Sequence, residues 1–313
     1  MIPRVILVCV LLASPAFVPI STGQDFGTVP VALTDAGEKV LFEKESLYHY
    51  IRVTQTGTIR RLQFRRSGED FDESAVDIQD RTKLPLLYYR SMLVAFAHQP
   101  NPTSVLFVGM GAGTLPMAIH HYFPAAHVDA VELDPEVVAA AKRFFGLKED
   151  DRLKVYERDG RVQVRRFLAE KKKYDVVFLD AFRGGYIPYQ LTTREFLEQV
   201  KGVLLPGGIV VSNLRPGFAS YEYQRRTYDA TFRNHTTYGT EGNLILISDD
   251  CVPKSDAARI LANAERLQKE KQFRVDLPSV VREGATAGKY DTKGPILTDD
   301  FAPTDVLRGI PRE

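Results

Sequence analysis

The sequence predicts an α/β protein with a doubly wound, mostly parallel, seven-stranded sheet and a small N-terminal β-sheet domain. From about residue 104 onward, apolar strand-like runs alternate with helical segments. A glycine-rich turn follows the first of these runs, and a carboxylate ends the second. The preceding part of the chain shows β-type alternation around a short turn instead. These three observations define the fold class.

Size and charge restrict the class of protein further. A chain of 313 residues with 44% hydrophobic residues and a formal net charge of +1 has room for one large α/β domain and a smaller one. The near-neutral charge gives no electrostatic footprint for nucleic acid, so we expect no nucleic-acid partner. Basic runs at 60–61, 65–66, 165–166 and 171–173 are interpreted as solvated faces.

Residues 1–23 have the form of a secretory signal peptide. A basic start is followed by an apolar run and then by small residues at 21–23. The run is too short to span a bilayer comfortably, and Pro15 and Pro19 interrupt its helix. We therefore expect export to the periplasm or the medium, with an uncleaved membrane anchor as the alternative and a misassigned start codon as a third explanation. Cleavage would leave Cys251 without a disulfide partner.

Residues 38–80 are assigned to the small β domain, and residues 81–313 to the large one. Segments 48–54 and 58–64 alternate in β fashion around Thr56 and Gly57, which predicts a hairpin. Residues 67–73 are expected to form a polar, acidic loop. Residues 83–97 have the apolar spacing of a helix.

The large domain follows the βαβ pattern. Strands are predicted at 104–109, 127–132, 153–157, 175–180 and 208–213, with helices beginning near Gly113, Pro135, Gly160 and Thr193. Such alternation produces a parallel sheet with right-handed crossovers. Segments 232–237 and 243–248 are predicted to form an antiparallel pair at one end of the sheet, and 255–271 a final amphipathic helix.

The glycine-rich turn carries the first functional signal. Gly109, Gly111 and Gly113 follow a buried strand, and Glu132 lies about 20 residues beyond the first glycine, where a doubly wound sheet places the acid that accepts both ribose hydroxyls. Thr114 stands where a dinucleotide fingerprint needs a glycine, which disfavours a nicotinamide oxidoreductase. The pattern therefore predicts an S-adenosylmethionine-type nucleoside site on a Rossmann-like sheet of the methyltransferase type.

Two further acids end the next two predicted strands. Asp159, followed by Gly160, could accept the exocyclic amine of adenine, and Asp180 ends the fourth strand. With Glu132 they would share the sheet edge at which open α/β sheets bind ligands. Either acid alone would more often be a helix cap. Three acids in register behind a glycine turn favour a binding site, and no metal is expected there.

Taken together, these motifs resemble the spermidine synthase family, particularly its divergent members. The matching segments are 89–92, 100–102, 109–113, 131–134, 159–160 and 174–180, joined in the divergent members by 187–196 and 297–303. The resemblance covers roughly residues 40–308. It implies an N-terminal β domain, a methyltransferase-like core and a homodimer. It also implies a sulfonium nucleoside as co-substrate, either S-adenosylmethionine or its decarboxylated form.

The same resemblance assigns roles to individual residues. Glu132 would hold the ribose of the donor and Asp159 its adenine, while Asp180 would help to deprotonate the attacking amine. Tyr89 would lie near the small-molecule acceptor, for which the family precedent is a polyamine.

Two positions depart from the family pattern. Ala112 replaces an aspartate that meets the donor's free amine and repels a carboxylate, and Arg183 replaces a second acid that binds the diamine. Two like charges about 4 Å apart repel by roughly 4 kcal/mol at an effective dielectric constant near 20, so an inward-facing Arg183 would weaken diamine binding. Asp299 or Asp300 is a candidate for a compensating acid. The alternative is that Thr298 or Asp299 caps a terminal turn.

The expected function is therefore transfer of an aminopropyl or methyl group from a sulfonium donor to an amine-like nucleophile. Family precedent favours aminopropyl transfer, whereas Ala112 and Arg183 favour intact S-adenosylmethionine. An exported nucleoside-binding or interaction module without catalytic activity is the alternative hypothesis.

Overall fold

The computed structural model describes residues 32–33, 37–66, 68–183, 186–240, 242–284 and 290–303. The predicted signal segment 1–23 lies outside these ranges, so export stays a prediction. Within them, every helix is too short or too polar to cross a membrane.

An antiparallel sheet forms the N-terminal part, and its strands lie side by side in chain order. They are β1 (Ala32–Leu33), β2 (Lys39–Glu45), β3 (Tyr50–Thr56), β4 (Ile59–Arg66) and β5 (Glu69–Asp77). The predicted hairpin is β3–β4, which closes where Thr56 pairs with Ile59. The prediction of a loop over 67–73 was wrong, because β5 occupies most of it. At its start, Glu69 and Asp70 lie across from Arg66 and Arg65 of β4, so charge pairing replaces the apolar alternation there.

The large sheet has seven strands in the order β11-β12-β10-β9-β6-β7-β8. Their bounds are β6 (Ser104–Val108), β7 (His127–Glu132), β8 (Leu153–Glu157), β9 (Tyr174–Leu179), β10 (Leu204–Leu214), β11 (Asn234–Thr240) and β12 (Asn243–Asp249). Strands β6 to β10 run parallel, and β12 pairs antiparallel with both β10 and β11. The predicted doubly wound, mostly parallel sheet is confirmed.

Helices cover both faces of this sheet. They are α1 (Leu87–Met92), α2 (Ala95–His98), α3 (Thr114–Tyr122), α4 (Pro135–Ala140), α5 (Gly160–Ala169), α6 (Arg194–Gly202), α7 (Tyr221–Thr231), α8 (Ala257–Lys271) and α9 (Leu277–Glu283). A π-helical turn (Ala141–Phe145) extends α4, and a 3₁₀ turn (Tyr189–Leu191) precedes α6.

Three helix predictions need correction. The single helix expected at 83–97 is two short helices, and it starts late because Pro85 disfavours a helical conformation of the residue before it. Helix α7 was missed, since its sequence is polar. Helix α8 is not the last one, because α9 follows after the N-cap Asp276, whose side chain accepts the Ser279 N–H at 3.1 Å.

The small sheet packs directly on the large domain. A buried cluster combines Phe42, Ile51, Val53, Leu62, Phe64 and Val76 of the small sheet with Ala112, Val137, Ala140 and Phe145. The latter four belong to the glycine turn and to the α4 region. The small sheet therefore lies against the carboxyl edge of the large sheet, where the functional residues were predicted.

Candidate active site

A cavity lies where the carboxyl ends of β6, β7 and β9 face the small sheet. Of the predicted site residues, it is lined by Gly109, Gly111, Glu132, Asp159, Gly160, Asp180 and Arg183. The structure thus brings the three strand-end acids together behind the glycine turn. Gly113 and Tyr89 lie outside this lining.

Close approach of neighbouring residues explains two of the glycines. Gly109 has a φ of +91°, and a Cβ there would lie 2.5 Å from the carbonyl oxygen of Asp180 and 2.6 Å from the nitrogen of Ala181. Gly111 has a φ of +55°, and its Cβ would lie 2.4 Å from the hydroxyl of Ser74 on β5. A side chain at either position would therefore be strained by its backbone and would also displace a wall of the cavity.

Glu132 is held against the glycine turn by backbone amides. Its carboxylate accepts the N–H groups of Met110 at 3.2 Å, Gly111 at 3.0 Å and Asp134 at 3.2 Å. Burial raises the pKa of Glu132, and these hydrogen bonds oppose that rise. The side chain is therefore fixed in position and reaches the cavity from the end of β7.

The Asp159 side chain caps a helix, and the residue also lines the cavity. Its side chain is the N-cap of α5 and accepts the Val162 N–H at 3.0 Å, and the residue also lines the cavity. Its neighbour Gly160 sits so close to β6 that a Cβ would lie 2.6 Å from a methyl group of Val108. Capping thus accounts for one carboxylate oxygen, and the adenine contact stays a prediction.

Asp180 is the acid best placed for proton transfer. Burial raises its pKa to about 7, although hydrogen bonds from Asn213 and Tyr88 act in the opposite direction. The Asn213 side chain donates to Asp180 at 2.9 Å and accepts from Asn243 at 2.8 Å. This chain of amides fixes the orientation of the carboxyl group at the end of β9. A pKa near neutrality is the value that suits a general base.

Tyr89 was predicted to lie near the acceptor, but it and its neighbour Tyr88 make different contacts. The Tyr89 hydroxyl donates to Ser74 at 3.1 Å and the residue is buried. The Tyr88 hydroxyl donates to the backbone carbonyl of Glu73 at 3.3 Å and lies close enough to Asp180 to lower the pKa of that carboxyl group. Their rings are 4.5 Å apart. Helical spacing could not distinguish these neighbours, and the structure places Tyr88 nearer to the reacting carboxyl group.

Glu73 is an acid of the site that sequence reasoning missed. It lies on β5 and lines the cavity. Burial is the main reason that the pKa of Glu73 is raised to about 8. Repulsion from the nearby Asp180 adds to this rise, and the charge of Arg215 opposes it. It was missed because its segment was interpreted as a surface loop, which gives an acid no reason to face the sheet edge.

His49 was also missed, and it joins the small sheet to the site. Its Nδ1 lies 3.0 Å from a carboxylate oxygen of Asp134, to which Ser46 also donates, and its ring stacks on Phe64 at 3.9 Å. Asp134 in turn caps α4 by accepting the Glu136 N–H at 3.0 Å. His49 therefore lines the cavity from a position fixed by the large domain.

The structure shows where the two residues that depart from the family pattern, Ala112 and Arg183, lie relative to the cavity. Ala112 is fully buried against the small sheet and is not among the residues that line the cavity, and its N–H donates to Ser74 at 3.0 Å. Arg183 is exposed at the cavity mouth. The simple objection that an inward arginine repels a diamine therefore loses its geometric basis.

Asp299 is bound to another partner. Its carboxylate forms a bidentate pair with Arg161 at 2.7 and 2.6 Å and accepts the Thr193 hydroxyl at 2.8 Å. Thr298 and Phe301 close a turn through backbone hydrogen bonds of 3.0 and 3.1 Å. The structure supports the capped turn rather than a compensating acid. Among the described residues, no cluster of three or more His, Cys, Asp or Glu residues could hold a metal ion.

Comparisons with known proteins agree with this geometry. Residues 86–230 match the family model described as the spermine/spermidine synthase domain. A polyamine aminopropyltransferase of Vibrio vulnificus (strain CMCP6) is 29% identical over 308 residues, which is 96% of each chain. The eEF1A lysine and N-terminal methyltransferase of Mus musculus is 30% identical over 162 residues, 47% of this chain and 23% of that protein.

A solved structure supports the fold. A spermidine synthase in complex with the transition-state analogue AdoDATO superimposes with a TM-score of 0.61 at 18% sequence identity, covering 79% of this chain and 84% of that one.

Proposed function

We propose that the chain, whose residues 86–230 match the spermine/spermidine synthase domain, transfers an aminopropyl or methyl group from an S-adenosylmethionine-type donor to an amine. The observation that carries the proposal is Asp180, a half-buried acid with a pKa of about 7 that lines the cavity together with the glycine turn and Glu132. The inactive-module hypothesis has no support among the relatives, which are named for transferase activities.

The leaving group of this reaction needs no proton from the protein. The amine nitrogen attacks the carbon bonded to the donor's sulfonium, the C–S electron pair passes to sulfur, and a neutral thioether leaves. One proton must then leave the nitrogen, and the Asp180 carboxylate accepts it. Catalysis consists of alignment plus this proton transfer, and both contributions are substantial in enzymes.

The charge of the cavity suits a cationic donor. Glu73, Glu132 and Asp180 all line it, while Arg183 lies at its mouth. Acids near a sulfonium stabilise it by Coulomb attraction, which is stronger in a partly buried site than in water. Glu132 would accept both ribose hydroxyls once the nucleoside is bound.

The two relatives support different transferred groups. The aminopropyltransferase aligns over 96% of this chain, and the methyltransferase over 47%. Since Ala112 is not among the residues that line the cavity, its identity gives little basis for choosing between intact and decarboxylated donor. Mass analysis of the product with each donor would decide the group transferred.

Direct binding tests the donor site. We expect S-adenosylmethionine, its decarboxylated form or methylthioadenosine to bind in calorimetry, and Glu132→Ala to weaken that binding at least tenfold. Charge-assisted hydrogen bonds contribute about 1.5–3 kcal/mol each, which supports this magnitude. Glu157→Ala is the matched control. Glu157 lies on β8 and pairs in register with Glu132 of β7, but its side chain is exposed. A loss below about threefold for Glu132→Ala would contradict the assignment.

We also propose that the chain is exported and forms a homodimer, as expected from residues 1–23 and from the family resemblance. The mass of the mature protein recovered from the producing cells would reveal cleavage, and light scattering would give the oligomeric state. An intact N-terminus in a cytoplasmic monomer would contradict both proposals.

A further inference from the structure

A second cavity adjoins the donor cavity and shares Glu73 and Phe182 with it. Its volume is about 310 Å³. The polar side chains around it are Asp72, Glu73, Tyr88, Asn213, Arg215 and Asn243. Asp180 lines the first cavity, and its carboxylate accepts a hydrogen bond at 2.9 Å from Asn213, which lines the second. If the donor occupies the first cavity, the second is the space from which an acceptor reaches Asp180.

One end of this second cavity is acidic. Within the described part of the chain, neither Glu73 nor Asp180 forms an ion pair with a basic side chain. Carboxylates removed from water without a partner are unfavourable, and an ammonium group placed between them would compensate for the lost solvation. Burial raises the pKa of both groups, and repulsion from Asp180 adds to the rise for Glu73. The acidic end therefore suits the amino group of an acceptor.

The same cavity also carries a cation, Arg215, whose charge opposes the rise in the pKa of Glu73. Arg215 lies on the cavity wall, and its buried Nε has no hydrogen-bond partner among the residues that the structure describes. Its guanidinium contacts the ring of Phe218, with 4.9 Å from Cζ to the ring centroid. The fork of an arginine matches a carboxylate through two parallel hydrogen bonds. The second ammonium of a diamine would instead be repelled there.

We propose that the acceptor is an amine with a carboxylate at its other end, the chemistry of amino acids, held by Glu73 and Asp180 on the amino group and by Arg215 on the carboxylate. This inference rests on the proposed transferase function. It names a substrate class different from a diamine and assigns specificity to two residues, Glu73 and Arg215, that lie outside the glycine turn and the strand-end acids.

Paired acceptors that differ only in the carboxylate give the test. Ornithine and putrescine form one pair, and lysine and cadaverine the other. Binding is measured by calorimetry on the full chain saturated with methylthioadenosine. We expect each amino acid to bind at least tenfold more tightly than its diamine. Arg215→Met should abolish this preference and leave nucleoside affinity within about twofold, while Arg215→Lys should retain part of it.

The outcomes separate the two proposals. If no nucleoside binds, the proposed function fails and this inference fails with it. If the nucleoside binds but the diamines bind as tightly as the amino acids, or no acceptor binds, the inference alone is overturned. If Arg215→Met weakens the binding of an amino acid and of its diamine equally, Arg215 only balances the charge of Glu73. This result would also overturn the inference. Melting curves of the variants establish that they are folded.

Discussion

Two half-buried carboxyl groups, Glu73 and Asp180, set the charge of the site at the scale of single residues. They come from different sheets, and the charge of Asp180 contributes to the raised pKa of Glu73. Protonation of one carboxylate therefore removes its repulsion of the other. An arriving cation has the same effect, so donor or acceptor binding should favour ionisation of both groups.

The rate of transfer should depend on pH through Asp180. A general base acts when it is ionised, so with a pKa of about 7 the value of kcat/KM should rise from pH 6 to pH 8 and then level off. Asp180→Asn should lower kcat by at least 100-fold and remove this rise, while donor affinity stays within a few-fold. Asp151→Asn, at an exposed position, serves as the control and should leave the profile unchanged. A flat profile for the wild-type protein would contradict the assignment of the base.

Sequence reasoning identified Glu132 and Asp180 because parallel strands end at one edge, so a polar residue after each apolar run has a predictable place. It could not find Glu73, whose position depends on how a second sheet packs against that edge. Tyr89 was assigned through the family resemblance, and only the structure shows that its neighbour Tyr88 acts on Asp180. Ala112 was expected to face the donor, but its burial against the small sheet follows from tertiary packing alone.

At the scale of elements, strands β6 to β9 could be predicted within about one residue at each end. Strands β6, β7 and β9 are almost wholly buried, so apolar residues dominate their sequences, whereas β8 is a partly exposed edge strand. Helix α7 could not, because its polar side chains are buried by a distant segment. Arg226 donates to the backbone carbonyls of Asp291 at 2.8 Å and Pro295 at 3.0 Å. No local pattern predicts a buried arginine of this kind.

The contact between the glycine turn and the end of β9 gives a prediction at this scale. Gly109→Ala should destabilise the protein by several kcal/mol and abolish nucleoside binding, because the new Cβ would collide with the backbone of Asp180 and Ala181. Gly57→Ala is a matched control. Gly57 also has a positive φ, +58°, but it has nothing within 4 Å of its Cβ position. It should therefore cost only about 1–2 kcal/mol, the conformational penalty of a left-handed residue.

Urea unfolding and calorimetry measure the two effects. Equal destabilisation by the Gly109 and Gly57 substitutions would show that the close contact is not a constraint. So would normal nucleoside affinity in Gly109→Ala.

At the scale of the whole molecule, the small sheet and the large domain are parts of one structure. The cluster around Phe42 and Phe145 contains side chains from both, and His49 is bound to Asp134 across the same boundary. Arg60 and Arg81 also donate to the carbonyls of Phe144 and Phe145 at the end of the π-helical turn. Since Glu73 and His49 both come from the small sheet, the site exists only when the two parts are packed together.

We therefore expect the small sheet and the large domain to unfold in a single transition. The chain contains no tryptophan, so one tryptophan introduced at a time reports on its own surroundings. Tyr50→Trp lies in the small sheet and Tyr223→Trp in α7, and both side chains are partly exposed. Thermal melts followed at the two positions should share one midpoint. Nucleoside at 100 times its Kd should raise both midpoints together, because it adds about 2.7 kcal/mol to the folded state. A lower midpoint at Tyr50→Trp, or a ligand shift confined to one reporter, would show that the small sheet folds separately and that the site is assembled by docking.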